Sequence, residues 1–347
     1  MNTMVSILRL GSNPRLEQAL LQLNMATVST DSDLSGRRIL FAVSVDEGGP
    51  DPAFYAFLRR LRTERDCMAG SAACVVVDGT TEEHTKAAAQ ELVLAANRAG
   101  CRFPGRPLIE ATGSLYNQHI QARNLGLSWQ ETYFLRVREL ADRLANYEPP
   151  RFRRPNVLLL HASDQKRSNT LALGRAVCDR LADCCDIREV QLLNGAVHDC
   201  RGCGYQACLH FAEHDSCFYG GMVSEEVLPA IREADVLLFL CPNYNDALSA
   251  NLTALINRMT GLVLKQDMGG KYLAAVVVSG YSGGDLVARQ LLGAMSMNRG
   301  CALPPDFCLL QTAHDPGDAL KAFGVDALVE RFAKRLKSEL LDEYSQK

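Results

Sequence analysis

Five short apolar runs in the second half of the chain, each followed by a helical pattern, constrain the fold more than anything else. The runs lie at 156–161, 186–192, 236–241, 273–279 and 306–311, and the helices at about 170–184, 224–233, 249–264, 285–298 and 316–341. Short apolar runs bounded by turn residues mark strands buried on both faces. Their alternation with helices implies a parallel sheet covered on each side. Five such units within residues 155–347 predict one doubly wound, three-layer α/β domain with strand order 2-1-3-4-5. A ligand of such a sheet lies outside the carboxyl ends of the strands, where the strand order reverses.

The first half reads as a second α/β domain. Arg38–Val45, Ala72–Val77 and Pro107–Ala111 are strand-like, and Asp51–Glu64, Glu82–Ala99 and Thr132–Tyr147 are helix-like. Residues 1–35 read as a polar lead-in with one helix near Leu16–Leu23. The stretch YEPPRFRRP at 147–155 breaks both periodicities with its prolines, which places a linker at 148–154 between domains 1–147 and 155–347. Val75–Arg98 and Leu237–Arg258 share a strand, a polar loop and a helix ending in Asn-Arg, followed by the glycine loops 111–117 and 279–285. An internal repeat is expected on that alignment. The loop DEGGPD at 46–51 then stands after the first strand, where its carboxylates would repel a phosphate. The first domain is therefore expected to be a degenerate copy without cofactor.

Net charge is −3, which gives no polybasic face for nucleic acid. No run approaches the length of a membrane span, and Met1–Leu10 lacks the pattern of a signal peptide. Thirteen cysteines in such a chain suit reduced thiols in the cytoplasm.

Three loops leave the same end of the second sheet. Ser163–Thr170 is rich in hydroxyls and opens a helix, where free N–H groups and the helix dipole favour an anion. Ser, Asn and Thr are also the ordinary N-capping residues, so Ser163, Ser168, Asn169 and Thr170 carry both readings. Pro242, Asn243, Tyr244 and Asn245 set an aromatic face beside amides, suited to a planar heterocycle or to a plain surface turn. Ser279, Gly280, Tyr281 and Gly283 form a glycine loop whose N–H groups can approach a ring carbonyl, or a simple turn.

Together these loops resemble the flavodoxin-like NAD(P)H-dependent FMN reductases over roughly 155–311. The resemblance implies a flavodoxin-like fold and FMN. Ser163, Ser168, Asn169 and Thr170 would lie at the phosphate, with Pro242–Asn245 and Ser279, Gly280, Tyr281 and Gly283 around the isoalloxazine. It implies NAD(P)H as a transient substrate and hydride transfer through the flavin to a small quinone- or flavin-type acceptor. The flavin carries the chemistry, and no side chain is assigned as catalytic acid or base. Such proteins commonly work as dimers, so a homodimer or an internal pseudo-dimer of the two domains is expected.

A cysteine-rich loop follows the second strand of this domain. Cys200, Cys203, Cys208 and Cys217 resemble the cluster ligands of the iron–sulfur flavoproteins, although the C-x2-C-x4-C-x8-C spacing is wider than in that branch. A [4Fe-4S] cluster, a zinc site and four inert packed thiols are the readings this spacing leaves open. A cluster would favour an electron carrier serving a redox protein partner. Zinc without flavin would favour a non-catalytic binding module.

Overall fold

The computed structural model describes residues 4–163, 166–214 and 216–342, and divides into the units Met1–Pro149 and Pro150–Lys347. The first unit contains β1 (Val5–Leu10), β2 (Ala26–Val28), β3 (Arg38–Asp46), β4 (Gly49–Pro50), β5 (Ala72–Gly79) and β6 (Leu108–Ala111). Its main sheet runs β2-β1-β3-β5-β6 with every pairing parallel, and β4 folds back antiparallel on β3.

Residues 1–35 are thus not a lead-in. They supply two parallel strands and the helix Pro14–Leu21, which Asn13 caps by accepting the Leu16 N–H. The strand pattern of Val5–Leu10 is diluted by Ser6 and Arg9. Val5, Ile7, Leu8 and Leu10 are nonetheless buried, while exposed Arg9 pairs with Glu17 at 2.6 Å.

The second unit contains β7 (Asn156–His161), β8 (Asp186–Gln191), β9 (Val236–Pro242), β10 (Tyr272–Ser279) and β11 (Cys308–Thr312). They pair in parallel as β11-β10-β9-β7-β8, the 2-1-3-4-5 order expected from sequence. The helix Val325–Leu340 buries Val325, Val329, Phe332, Ala333, Leu336 and Leu340 along one stripe, in the same core as Val177 and Leu238. Each such large side chain withdrawn from water contributes roughly 1.5–3 kcal/mol. The pattern at 316–341 is two helices rather than one. Asp318–Lys321 and Val325–Leu340 are separated at Gly324, whose φ of +74° no continuous helix accepts.

The two units share one strand order, in a different register from the alignment expected. Val75–Arg98 spans the fourth main strand and its helix, whereas Leu237–Arg258 spans the third. The overlooked β1 and β2 make Arg38–Asp46 the third main strand and not the first, a shift of two places. In the corrected register the glycine loop 111–117 follows the fifth main strand and 279–285 follows the fourth, so those loops are not counterparts either. Local backbone geometry recurs at an interval of two hundred residues. Ala72 bridges Arg102 as Tyr272 bridges Ala302. Gly100 and Gly300 have φ of +100° and +99°, and Arg106 and Asp306 have φ of 53° and 54°. Among the described residues, no helix is long and apolar enough to cross a membrane.

Candidate functional site

β7 ends at His161, which is fully buried. Two residues on, the Ser163 N–H donates to His161 Nδ1 at 3.2 Å and the Ser163 carbonyl accepts from Gln191 Nε2 at 2.9 Å. The backbone of Ser163 is therefore held from two sides, while its hydroxyl is buried without a hydrogen-bond partner among the described residues. His161 Nε2 lies 3.2 Å from Glu189 Oε1, and Arg175 donates twice to that carboxylate, at 2.9 and 2.6 Å. Burial lowers the imidazole below its ordinary 6.5, against the opposing pull of Glu189.

The rest of this loop divides its labour. Asp164 and Gln165 lie outside the described residues. Ser168 is the N-cap of the helix Asn169–Leu181, its Oγ accepting the Leu171 N–H at 3.1 Å. Asn169 donates to the Asp315 carbonyl at 2.8 Å and accepts from Gly317 N at 2.8 Å and Ala319 N at 3.3 Å. Its amide braces the segment after β11, with both acceptor positions of Oδ1 and one Nδ2 hydrogen used there. Thr170 is buried in the first turn. The backbone N–H groups of such a turn are the ones a helix leaves unsatisfied.

The second and third loops are tied to each other through Asn243. Its N–H donates to the Val278 carbonyl at 2.9 Å. Its Nδ2 reaches Asp246 Oδ1 at 3.1 Å, Ser279 Oγ at 3.2 Å and the Ser282 carbonyl at 2.9 Å. Its Oδ1 is buried and, among the described residues, unpartnered, as is the hydroxyl of Ser249, which opens the next helix. Past Pro242, Tyr244 and Ala247 bridge across a two-residue turn in which Asn245 and Asp246 have φ of 53° and 57°. Asn and Asp tolerate that left-handed region better than other side chains do. Gln290 grips the turn from the neighbouring helix, donating to the Asp246 carbonyl at 2.9 Å and accepting from Leu248 N at 3.0 Å. Tyr244 is 60% exposed at the turn and Tyr281 is 79% exposed, its ring 5.1 Å from that of His314. Gly280 also faces His314, since a Cβ there would lie 3.3 Å from Nδ1.

Sequence reasoning missed His161, Arg175, Glu189, Gln191, Gln290 and His314. A period-2 signal was available for two of them, because Glu189 and Gln191 alternate on β8 with buried Val190.

The cysteine segment forms a separate structure. Arg258, 3% exposed, donates to Cys217 Sγ at 3.4 Å, to the His198 carbonyl at 3.5 Å and to the Gly220 carbonyl at 2.8 Å. The Cys208 thiol is raised by burial, then by Cys217, Cys200 and Cys203, so all three lie within electrostatic reach of it. Among the described residues, no group of three or more His, Cys, Asp or Glu side chains stands close enough to hold a metal. The thiols as placed do not make a ligand set for a cluster or for zinc.

The first unit treats the corresponding ground differently. The loop after its first strand is Gly11–Asn13, not 46–51, which follows the third main strand. Arg15, at the start of the next helix, bonds Asp78 through Nε at 3.0 Å and Nη2 at 2.9 Å. It also reaches the carbonyls of Gly79 at 2.8 Å, Thr112 at 2.9 Å and Gly113 at 3.2 Å. Asn13 adds a bond to Asp78 Oδ1 at 3.0 Å. A guanidinium and a carboxylate thus join the carboxyl ends of β5 and β6.

Residues 155–315 match the family model described as NADPH-dependent FMN reductase, so this part of the second unit is similar to that family of oxidoreductases. No curated protein sequence matches the chain. Among solved structures, RosB with bound 8-demethyl-8-formylriboflavin-5'-phosphate is 14% identical, covering 53% of this chain and 78% of its own, with a TM-score of 0.43. The Trp repressor binding protein from Bacillus subtilis is 15% identical, covering 51% and 96%, with a TM-score of 0.36. An azoreductase from Bacillus anthracis is 13% identical, covering 53% and 98%, with a TM-score of 0.35.

Proposed function

We propose that the second unit, similar to the NADPH-dependent FMN reductase family, binds FMN at its three loops and passes electrons from NAD(P)H to a small acceptor of quinone or flavin type. The observation that carries this reading is a set of three orphaned oxygens. Among the described residues, Ser163 Oγ, Asn243 Oδ1 and Ser249 Oγ are buried without partners, at the carboxyl ends of β7 and β9 where the strand order reverses. A buried polar atom left unsatisfied costs about 1–3 kcal/mol, which a ligand rich in donors and acceptors recovers. Bound FMN supplies the electron transfer itself.

The residues of the chain hold and orient. The N-terminus of the helix Asn169–Leu181, with Ser163 beside it, suits a phosphate monoester. Asn243 fixes the distance between the second and third loops, and Gln290 stiffens the turn that carries Tyr244. Exposed Tyr244 and Tyr281 offer flat faces to a planar ring system. Ordinary turns would need neither the cross-loop bonds nor the buried oxygens.

The test is to titrate the flavin-free protein with FMN and follow fluorescence, then add NADPH and a quinone under anaerobic conditions. One FMN per chain and acceptor-dependent oxidation of NADPH are expected. Absence of FMN binding overturns the reading. Binding without turnover of any acceptor leaves FMN in place and removes the reductase assignment.

A second reading, electron carriage to a protein partner through a [4Fe-4S] cluster on Cys200, Cys203, Cys208 and Cys217, requires these thiols to draw together from where they stand, and one observation favours it. Arg258 and Arg299 are withdrawn from water and, among the described residues, neither has a carboxylate partner. Arg258 contacts Cys217, and the Arg299 guanidinium, lowered by burial, is raised by Cys200 and Cys208. Thiolates would balance that charge. Iron and acid-labile sulfide assays on anaerobically purified protein separate the two readings.

A further inference from the structure

The hydrogen bonds around His161 fix its protonation. Nδ1 receives the Ser163 N–H, so it presents a lone pair, and the proton of the neutral ring sits on Nε2 facing Glu189. Arg175 holds Glu189 bidentately and keeps that carboxylate in place for the ring. A chain of contacts therefore runs from Arg175 through Glu189 and His161 to the backbone of Ser163. The ring is fully buried and can do little except hold this geometry.

We propose that His161 is the positioning residue of the phosphate subsite. As the Nε2–H tautomer, fixed by Glu189 and Arg175, it sets the backbone of Ser163 so that the Ser163 hydroxyl and the N–H groups opening the next helix meet the FMN phosphate. This inference rests on the FMN reading of the second unit and deepens it. Protonation of His161 puts a hydrogen on Nδ1, opposite the Ser163 N–H, and the bond that pins the loop is lost. The loop's hold on the phosphate weakens as pH falls. Among the described residues, two charged groups face the ring: Glu189 on β8, which favours the protonated form, and Arg175 on the covering helix, which opposes it.

The experiment measures dissociation constants of the flavin-free protein for FMN and for riboflavin, which lacks the phosphate, between about pH 7.5 and 5. The ratio of the two constants isolates the phosphate contribution. His161→Asn keeps an acceptor near the Nδ1 position and cannot take up a proton. The second ionisation of the phosphate, near pH 6, affects wild type and variant alike. Between those pH limits the wild type is expected to lose about tenfold more of its FMN preference than His161→Asn, the value of one hydrogen bond. Glu189→Gln, at a partly exposed position, keeps the shape and removes the charge that favours protonation, so the midpoint is expected to move to lower pH. Arg175→Gln is expected to move it higher.

Profiles of the same shape in wild type and His161→Asn overturn the inference and leave FMN binding standing. Midpoints that do not separate in Glu189→Gln and Arg175→Gln also overturn it. Wild-type protein that binds neither flavin overturns the FMN reading itself, and this inference with it.

Discussion

A Cβ on Gly283 would stand 2.0 Å from Asp246 Oδ1 and 3.0 Å from Asn243 Nδ2. The two loops on either side of the crevice are pressed together at a point where a methyl fits only if the Asp246 carboxylate swings away. Gly283 also has φ of +81°, so it is required both by the local backbone and by the neighbour across the cleft. The Asn243–Asp246 bond at 3.1 Å and the Gln290 grip on the same turn depend on that contact.

Gly283→Ala is therefore expected to weaken FMN binding more than it weakens the fold. The left-handed backbone costs the alanine about 1–2 kcal/mol, and the methyl must displace Asp246. We expect FMN affinity to fall by about tenfold or more while the circular dichroism spectrum is retained. An unchanged affinity in a fluorescence titration would show that the third loop does not approach the flavin.

In the first unit the decisive pair is Arg15 and Asp78, with side-chain exposures of 21% and 1%. Arg15→Ala strands a buried carboxylate that keeps the Asn13 amide as a donor and the buried Tyr133 hydroxyl beside it. Removing one partner of a buried pair costs about 3–5 kcal/mol, and the partial exposure of Arg15 points to the lower end. Denaturant unfolding should show that loss, with FMN affinity of the second unit unaltered. A loss below about 1 kcal/mol would place the pair among ordinary surface bridges.

Acid sensitivity follows from His161 and Glu189. The folded-state value of His161 lies below 6.5, so below that pH the unfolded chain binds more protons and stability falls. Glu189 is lowered from 4.5, first by its hydrogen bond to Arg175, and its contribution is lost in turn as pH drops through the folded value. Both signs agree. Wild type should lose stability from about pH 6.5 downward. His161→Asn should lose less across the His161 window, as measured by melting temperature against pH. Parallel curves would exclude His161 as the source.

The second unit was legible because β9 and β10 are almost wholly apolar, and runs of that kind can only be central strands. β1 was not, because Ser6 and Arg9 break the run where the strand meets solvent. With β1 the short β2 was lost as well, and the two omissions together led to the wrong loop being compared with Ser163–Thr170. In the site, the candidate loops were recognisable from residue type at strand ends. Their division of labour was not. Ser168 and Asn169 have the same chemistry as a phosphate ligand, and what their side chains bond is decided by partners as distant in sequence as Asp315 and Gly317. His161 was hidden for the opposite reason. It ends an apolar strand, and its role depends on Glu189 in the neighbouring strand.

Arg258 supplies the last prediction. It bonds the carbonyls of His198 and Gly220 and the sulfur of Cys217, and so clasps both ends of the cysteine segment from the helix Ala250–Arg258. Other ties are weaker or nearer one end, such as Asn257 to Asp199 at 2.9 Å and Lys265 to the Glu213 carbonyl at 2.9 Å. Arg258→Gln keeps a donor but cannot span three acceptors. Without the clasp the segment opens more often, and cleavage of a locally opened segment follows the population of the open form. Limited trypsin digestion should then cut after Arg201 about tenfold faster in the variant, the effect of roughly 1.4 kcal/mol, while FMN stays bound. Equal cleavage rates would mean that the segment is held by its own helix Tyr205–Glu213 and its packing, with Arg258 present for charge alone.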